Sequence, residues 1–446
     1  MLATAWRAAG SALSRCGTPG GASSMRFRSA SGEGEPMSEG QGNDEGRYIG
    51  RQVRAIRARR GISQQVLADR VGVSRGAIAK YENGERPIDS RRTLHALAQA
   101  LGVAVGDLTG DQNDRFDPSS AGFHAAVPAI ETALWTRGDT TPTAPPRSLT
   151  ELAAAARHAA HLRRACDYAA LGPMLPALLT DCYRHARDSA GADRDLAWDV
   201  LAAAAYTTAA SLKARGYSAL AWTAAQEIEH ATANIGGTSG SATATFTRSQ
   251  ILLSRPGSLT AALDGATNAA ERLGPEVRSR GEIETYGMLH LQAALVTAAL
   301  GGDPGGHLDE ASEQVTRLDQ APPETATLRN PTFDAANVIL WRMSAAMEKR
   351  EPGQVLELAP TLDPQTIPAE GRRAQYFVEI GRAHALRRDY HNSLHALLRA
   401  EHIAPQQVRG MTHVRELVGH MMRTAHRNLT TGDPGRLAKR IGAVPS

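Results

Sequence analysis

The chain has 446 residues, 42 % of them hydrophobic and 22 % charged, and Lys plus Arg exceed Asp plus Glu by four. That length suggests roughly two to four domains, and no apolar stretch approaches the roughly 18 residues a bilayer span needs. The composition is that of a soluble, cytoplasmic globular protein. The three cysteines, Cys16, Cys166 and Cys182, form no CxxC pair and have no histidine at a zinc spacing. Free thiols in a reducing compartment are therefore expected, with no structural metal and no cofactor.

Charge is distributed unevenly along the chain. Residues 1–32 carry four arginines and no acid, and residues 33–46 carry five acids. Neither stretch has a sustained apolar run, which argues against a secretory signal. Residues 1–46 read as a disordered leader, or as a start placed upstream of the true one at Met25 or Met37. Residues 47–102 then carry twelve Lys or Arg against four Asp or Glu, whereas residues 103–446 carry 34 against 37. One short segment thus holds a concentrated positive field, the footprint of a polyanionic partner. Only four lysines occur beside 46 arginines, a bias that fits a GC-rich bacterial genome.

Within that segment apolar residues recur at helical spacing. Ile49, Val53 and Ile56 fall on one helix, and Val66, Leu67 and Val71 on the next. Gly61, Gly72, Gly84 and Gly102 punctuate five short helices, closing near Leu108. The run Ile62 to Gly84 meets the requirements of a tight two-helix corner. Ser63 and Ser74 can each cap a helix through the hydroxyl, Ala68 is small where the helices cross, and Gly72 permits the positive φ that ends the first helix. Leu67, Val71, Val73, Ile78 and Tyr81 supply the buried side of the corner.

The order of Gln64, the Ala68 and Gly72 pair, Tyr81-Glu82-Asn83-Gly84 and Leu101-Gly102-Val103 resembles the phage repressor/Cro (XRE) family of helix-turn-helix regulators. The likeness spans Tyr48 to Leu108. It implies that the second helix of the corner enters the major groove of double-stranded DNA with its first turn toward the bases. Arg75, Gly76 and Lys80 are then the base-facing positions, Arg75 able to span the O6 and N7 acceptors of guanine. Gln64, Ser74, Asn83 and Arg86 would hold phosphates, and Arg54, Arg57, Arg59 and Arg60 would contribute field rather than specific contacts. Gly76 offers no base-reading side chain, so a homodimer on two half-sites is expected.

Residues 111–148 read as a linker, with a Pro-rich run from Thr141 to Pro146 and a short helix around Ala125 to Trp135. From 149 to 446 nearly everything reads as Ala-rich helix, over about 149–170, 174–190, 194–214, 217–233, 258–273, 281–300, 331–350, 370–388, 391–403 and 408–428. The stretch Tyr376 to Pro405 resembles a tetratricopeptide (TPR) repeat. Phe377 takes the large aromatic position, Ile380-Gly381 the Leu-Gly pair, and Leu397 and Ala400 the second helix. His384 and Ser393 depart from the usual Tyr and Ala. Trp198 to Ala225 looks like a looser repeat.

The expected fold is therefore all-α, a five-helix repressor-type domain over 47–110 followed by a TPR-like helical solenoid. In regulators of this architecture, of actinobacterial type, the resemblance implies a C-terminal sensor of a peptide, small molecule or protein, with Asn268, Asn337 and Asn392 as scattered candidate contacts. The alternative is a scaffold that recruits proteins while its small domain tethers it to DNA. His391 and His395 stand four apart but lack a third ligand. No nucleophile elbow or phosphate-binding loop occurs, so no catalytic activity is expected.

Overall fold

The computed structural model describes residues 49–109, 120–139, 145, 147–236, 238–255, 257–322, 332–424 and 433–441. The leader read over 1–46 and Cys16 lie outside them. Every element among the described residues is helical, and no helix there is long and apolar enough to cross a membrane.

Five helices make the N-terminal head: α1 (Ile49–Arg59), α2 (Gln64–Val71), α3 (Arg75–Glu82), α4 (Arg91–Leu101) and α5 (Val105–Thr109). Their apolar faces close on one small core containing Val53, Leu67, Ala68, Ile78, Tyr81, Leu97, Leu101 and Leu108. Full burial of each large side chain stabilises the head by about 1.5–3 kcal/mol relative to exposure. The sequence pattern and this core agree residue by residue, except that Val66 faces solvent.

The segment read as a linker is not a free tether. It contains α6 (Ala121–Thr136), which buries Phe123, Ile130 and Leu134 in the larger core of the C-terminal part. Gly172 makes this packing possible, because a Cβ there would lie 2.7 Å from the Phe123 Cα. Pro128 sits inside α6, and Thr132 Oγ1 donates to the Pro128 carbonyl at 2.9 Å.

The array continues with α7 (Leu149–Arg164), α8 (Tyr168–Asp188), α9 (Ala192–Ala214), α10 (Ser218–Ile235), α11 (Thr238–Leu252), α12 (Leu259–Leu273), α13 (Arg280–Leu300) and α14 (Gly305–Gln320). It ends with α15 (Ala335–Glu348), α16 (Pro352–Leu358), α17 (Glu370–Leu386), α18 (Tyr390–Ile403), α19 (Pro405–Gly410), α20 (Thr412–Thr424) and α21 (Asp433–Arg440). Sequential helices pack pairwise, as a TPR-like array requires. In the pair α17–α18 a Cβ at Gly381 would meet the Leu397 side chain at 2.9 Å, and Ser393 Oγ donates to the Gly381 carbonyl at 2.7 Å. The Ser in place of Ala thus acts as a hydrogen-bonded spacer where the two backbones approach.

Five helices escaped the periodicity reading: α11, α14, α16, α19 and α21. The composition of α11 (TSGSATATFTRSQIL) argues against a helix. Its Thr243, Thr245 and Thr247 hydroxyls donate to the carbonyls four residues back, which satisfies them inside the packed array. For α14, the Gly305-Gly306 start hides an apolar stripe of Leu308, Ala311 and Leu318.

The array's two ends meet. Gln406 Oε1 accepts from the Ala169 N–H at 3.0 Å, the Cys166 thiol donates to Gln407 Oε1 at 2.7 Å, and Arg215 donates to the Gln406 carbonyl at 2.6 Å. One core accordingly joins α6–α10 to α15–α21, while a second lies mainly within α11–α14. Cys166 and Cys182 are free and buried, and burial pushes their thiols up to about 11 and 12.

Candidate nucleic-acid interface

The corner is built as its sequence requires. Ser63 Oγ accepts from the Val66 N–H at 3.2 Å and Ser74 Oγ from the Ala77 N–H at 3.1 Å. Gly72 takes φ 74° at the end of α2 and its N–H bonds the Ala68 carbonyl. A β-carbon in that left-handed conformation would be strained. The N-terminus of α3, with unpaired N–H groups in its first turn, therefore points away from the core and favours negative charge.

Arg75, Gly76 and Lys80 are all exposed on α3, as are Ser74 and Asn83, whereas Gln64 and Arg86 are half-buried. Neither the Arg75 nor the Lys80 side chain makes a hydrogen bond or ion pair among the described residues. At about 100° per residue, Gly76 and Lys80 share a face, while Arg75 lies about 140° round from Lys80. The two cations therefore stand on either side of Gly76. Asn83 Nδ2 lies 3.4 Å from Glu85 Oε1, and the Arg86 guanidinium stacks 5.3 Å from the Tyr81 ring centre.

Sequence reasoning missed what holds α3 in place. Glu82 is 1 % exposed and accepts from Arg57 Nε at 2.5 Å and from Arg57 NH2 at 2.9 Å. Its Oε2 also accepts from Gln64 Nε2 at 2.8 Å. Hydrogen bonding to Glu82 holds Arg57 further into its charged form, and Arg57 NH1 donates to the Ile62 carbonyl at 2.7 Å. Arg57 is thus a clamp joining α1 to α3 rather than a free source of field, and the side chain of Gln64 is engaged inside the head. Arg60 likewise bonds the Gly102 carbonyl at 3.1 Å. The available signal was the spacing that puts Glu82 on the buried side of α3 with Ile78 and Tyr81, where an acid needs a cationic partner.

The head is docked on the array through a different surface. Asp89 pairs with Arg350 at 2.8 Å, and its carbonyl accepts from Arg382 at 3.0 Å. Glu348 accepts from the Arg91 N–H at 3.1 Å and pairs with its guanidinium at 2.5 Å. Glu416 accepts from the Ile49 N–H, and His420 Nδ1 donates to the Gly84 carbonyl at 3.1 Å. Burial pushes the Glu416 carboxyl up to about 7 and lowers His95, on the buried face of α4, to about 4. These contacts fall at the start of α1, the turn after α3, and α4. They leave Ser74 to Lys80 uncovered.

Two capped helices at a glycine corner, with a cationic and exposed second helix, define a helix-turn-helix DNA-binding domain. A family model described as a helix-turn-helix domain matches residues 49–109. Over 76 residues the chain is 37 % identical to an uncharacterized transcriptional regulator in the ATPase CF(0) region of Rhodospirillum rubrum, a match covering 17 % of this chain and 68 % of that protein. It is 38 % identical over 68 residues to the propionyl-CoA carboxylase regulator of Cereibacter sphaeroides, covering 15 % of this chain but only 14 % of that protein. Among solved structures, Bacillus thuringiensis PlcR in complex with the peptide PapR7 and DNA matches at TM-score 0.27 and 13 % identity, over 61 % of this chain and 96 % of that one. Through its head, the chain belongs to the helix-turn-helix transcriptional regulators.

Proposed function

We propose that the protein is a sequence-specific transcription regulator that binds double-stranded DNA as a homodimer and whose TPR-like array senses a ligand. The observation that carries this reading is the exposure of Ser74, Arg75, Gly76 and Lys80 while the rest of the head is docked on the array. A scaffold needing only a tether has no use for a reading helix kept free.

In this reading Arg75 and Lys80 read base edges on either side of Gly76, and Ser74, Asn83 and Arg86 hold phosphates. Gln64 contributes through the N–H groups that begin α2, because its side chain is committed to Glu82. One head with so few base contacts discriminates poorly. Two heads about 34 Å apart on a two-fold site combine their contacts. Since the ion pairs of Asp89 and Arg91 fix the head on the array, the array's dimer geometry sets the half-site spacing, and a ligand that alters it alters operator affinity.

Selection of bound DNA from a random library, with footprinting of the selected site, tests this. The expected result is two half-sites about one helical turn apart, with a dimer in sedimentation at micromolar concentration. A monomeric full chain that enriches no sequence would overturn it.

A further inference from the structure

Where the array's ends meet lies a half-open cavity of about 490 Å³ between α4, α7, α9, α11, α13, α15, α17 and α20. That size suits a small organic ligand. Its wall carries five cationic side chains, Arg91, Arg163, Arg164, Lys213 and Arg372, and no Asp or Glu. This is unexpected by composition, because residues 103–446 as a whole hold more acids than bases.

Four of the five have no carboxylate partner among the described residues. The Arg163 guanidinium lies 5.3 Å from the Tyr206 ring centre, and its Nε is buried without a hydrogen bond. The Arg372 guanidinium lies 5.7 Å from the Trp341 ring centre, Lys213 Nζ donates to Gln250 at 3.2 Å, and His413 Nε2 in the same wall is unpartnered. Only Arg91 has a carboxylate, Glu348. Asp334 and Glu370 act through space on Arg372 and Cys166, but neither reaches the wall. Burial, then Arg91 and Arg372, push Lys213 down to about 8. A cluster of like charges on a partly desolvated wall is costly unless something supplies the opposite charge. The remaining wall mixes apolar side chains, including Met288, Leu340 and Trp341, with uncharged polar ones such as Thr247, Gln250 and Gln375.

We propose that this cavity is the sensory site and that its ligand is an organic anion with two or more negative charges, carboxylate or phosphate, on a carbon body that rests against Met288, Leu340 and Trp341. Arginine planes match both oxyanions in bidentate geometry. Arg91 is the head's own contribution to the wall, so a bound anion also touches the docking seam. This deepens the ligand-sensing reading above and rests on it.

The test is calorimetric titration of the full chain, without DNA, using pyrophosphate and citrate at matched ionic strength. Saturable one-site binding is expected, and the stronger of the two identifies phosphate or carboxylate as the recognised group. Arg372→Gln and Arg163→Gln should each weaken it tenfold or more, Arg372→Lys should recover only part of the Arg372→Gln loss because it keeps the charge without the bidentate plane, and exposed Arg272→Gln should leave it unchanged. Circular dichroism confirms that each variant is folded. The proposal fails if neither anion binds saturably, or if a folded Arg163→Gln, Arg372→Gln double variant binds as the parent does. Because no DNA is present, this outcome is independent of whether α3 reads bases, which the library selection decides separately.

Discussion

Glu82, at the end of α3, is the acceptor on which the position of that helix depends, and Glu82→Ala removes it. The carboxylate accepts three hydrogen bonds, two from Arg57 and one from Gln64. Breaking a buried ion pair costs about 3–5 kcal/mol, mostly from the stranded charge. Arg57 is 15 % exposed and keeps the Ile62 carbonyl, so it re-solvates in part and the expected loss lies near about 3 kcal/mol. At 1.36 kcal/mol per decade that is about a hundredfold. Hydrogen exchange of the α1–α3 amides in the full chain reads it as local opening. Those amides should exchange about a hundredfold faster, with Glu82→Gln intermediate and the α17–α18 amides unchanged. Exchange within threefold of the parent in Glu82→Ala would refute the clamp.

Gly172→Ala should destabilise the array by about 1–3 kcal/mol in denaturant unfolding, since its Cβ would strike the Phe123 backbone and push α6 off α8; a silent substitution would mean that α6 is a free tether after all. Glu416→Gln separates charge from shape at the docking seam. The Glu416 carboxyl sits at about 7 against an ordinary 4.5, so the folded chain holds the proton more tightly and Glu416 costs stability increasingly as pH rises from about 4.5 to about 7. The variant should match the parent near pH 4 and exceed it by about 1–3 kcal/mol at pH 8; equal stability at both values would remove the buried carboxyl from the account.

The corner was legible because its constraints are local. Ser63, Gly72 and Ser74 act within four residues of themselves, and the apolar spacing of Val53, Leu67 and Ile78 repeats with the helix. The docking seam was not, because its pairs join residues 257, 261 and 367 positions apart with nothing local to mark them. Thr141 to Pro146 suggested a linker, yet most of α6 is apolar and finds its partner on α8, a tertiary outcome that overrides the composition around it. The same holds for α11, whose threonines are helical only because neighbouring helices bury them. Asn337 and Asn392, read as possible ligand grips, instead bond the Thr332 carbonyl and Asp389 near the starts of their own helices. The cationic cavity draws its charges from α4, α7, α9 and α17, so no window of sequence contains it.

The central claim is that α3 reads sequence, and the most direct measurement is the affinity of the Arg75→Ala full chain for its selected operator and for random DNA at the same salt. A bidentate arginine–guanine contact is worth about 1–3 kcal/mol of discrimination. Operator affinity should therefore fall by that amount and preference at one base position should relax, while random-DNA affinity changes far less. Equal losses on both DNAs would make Arg75 a phosphate contact and contradict the reading of α3.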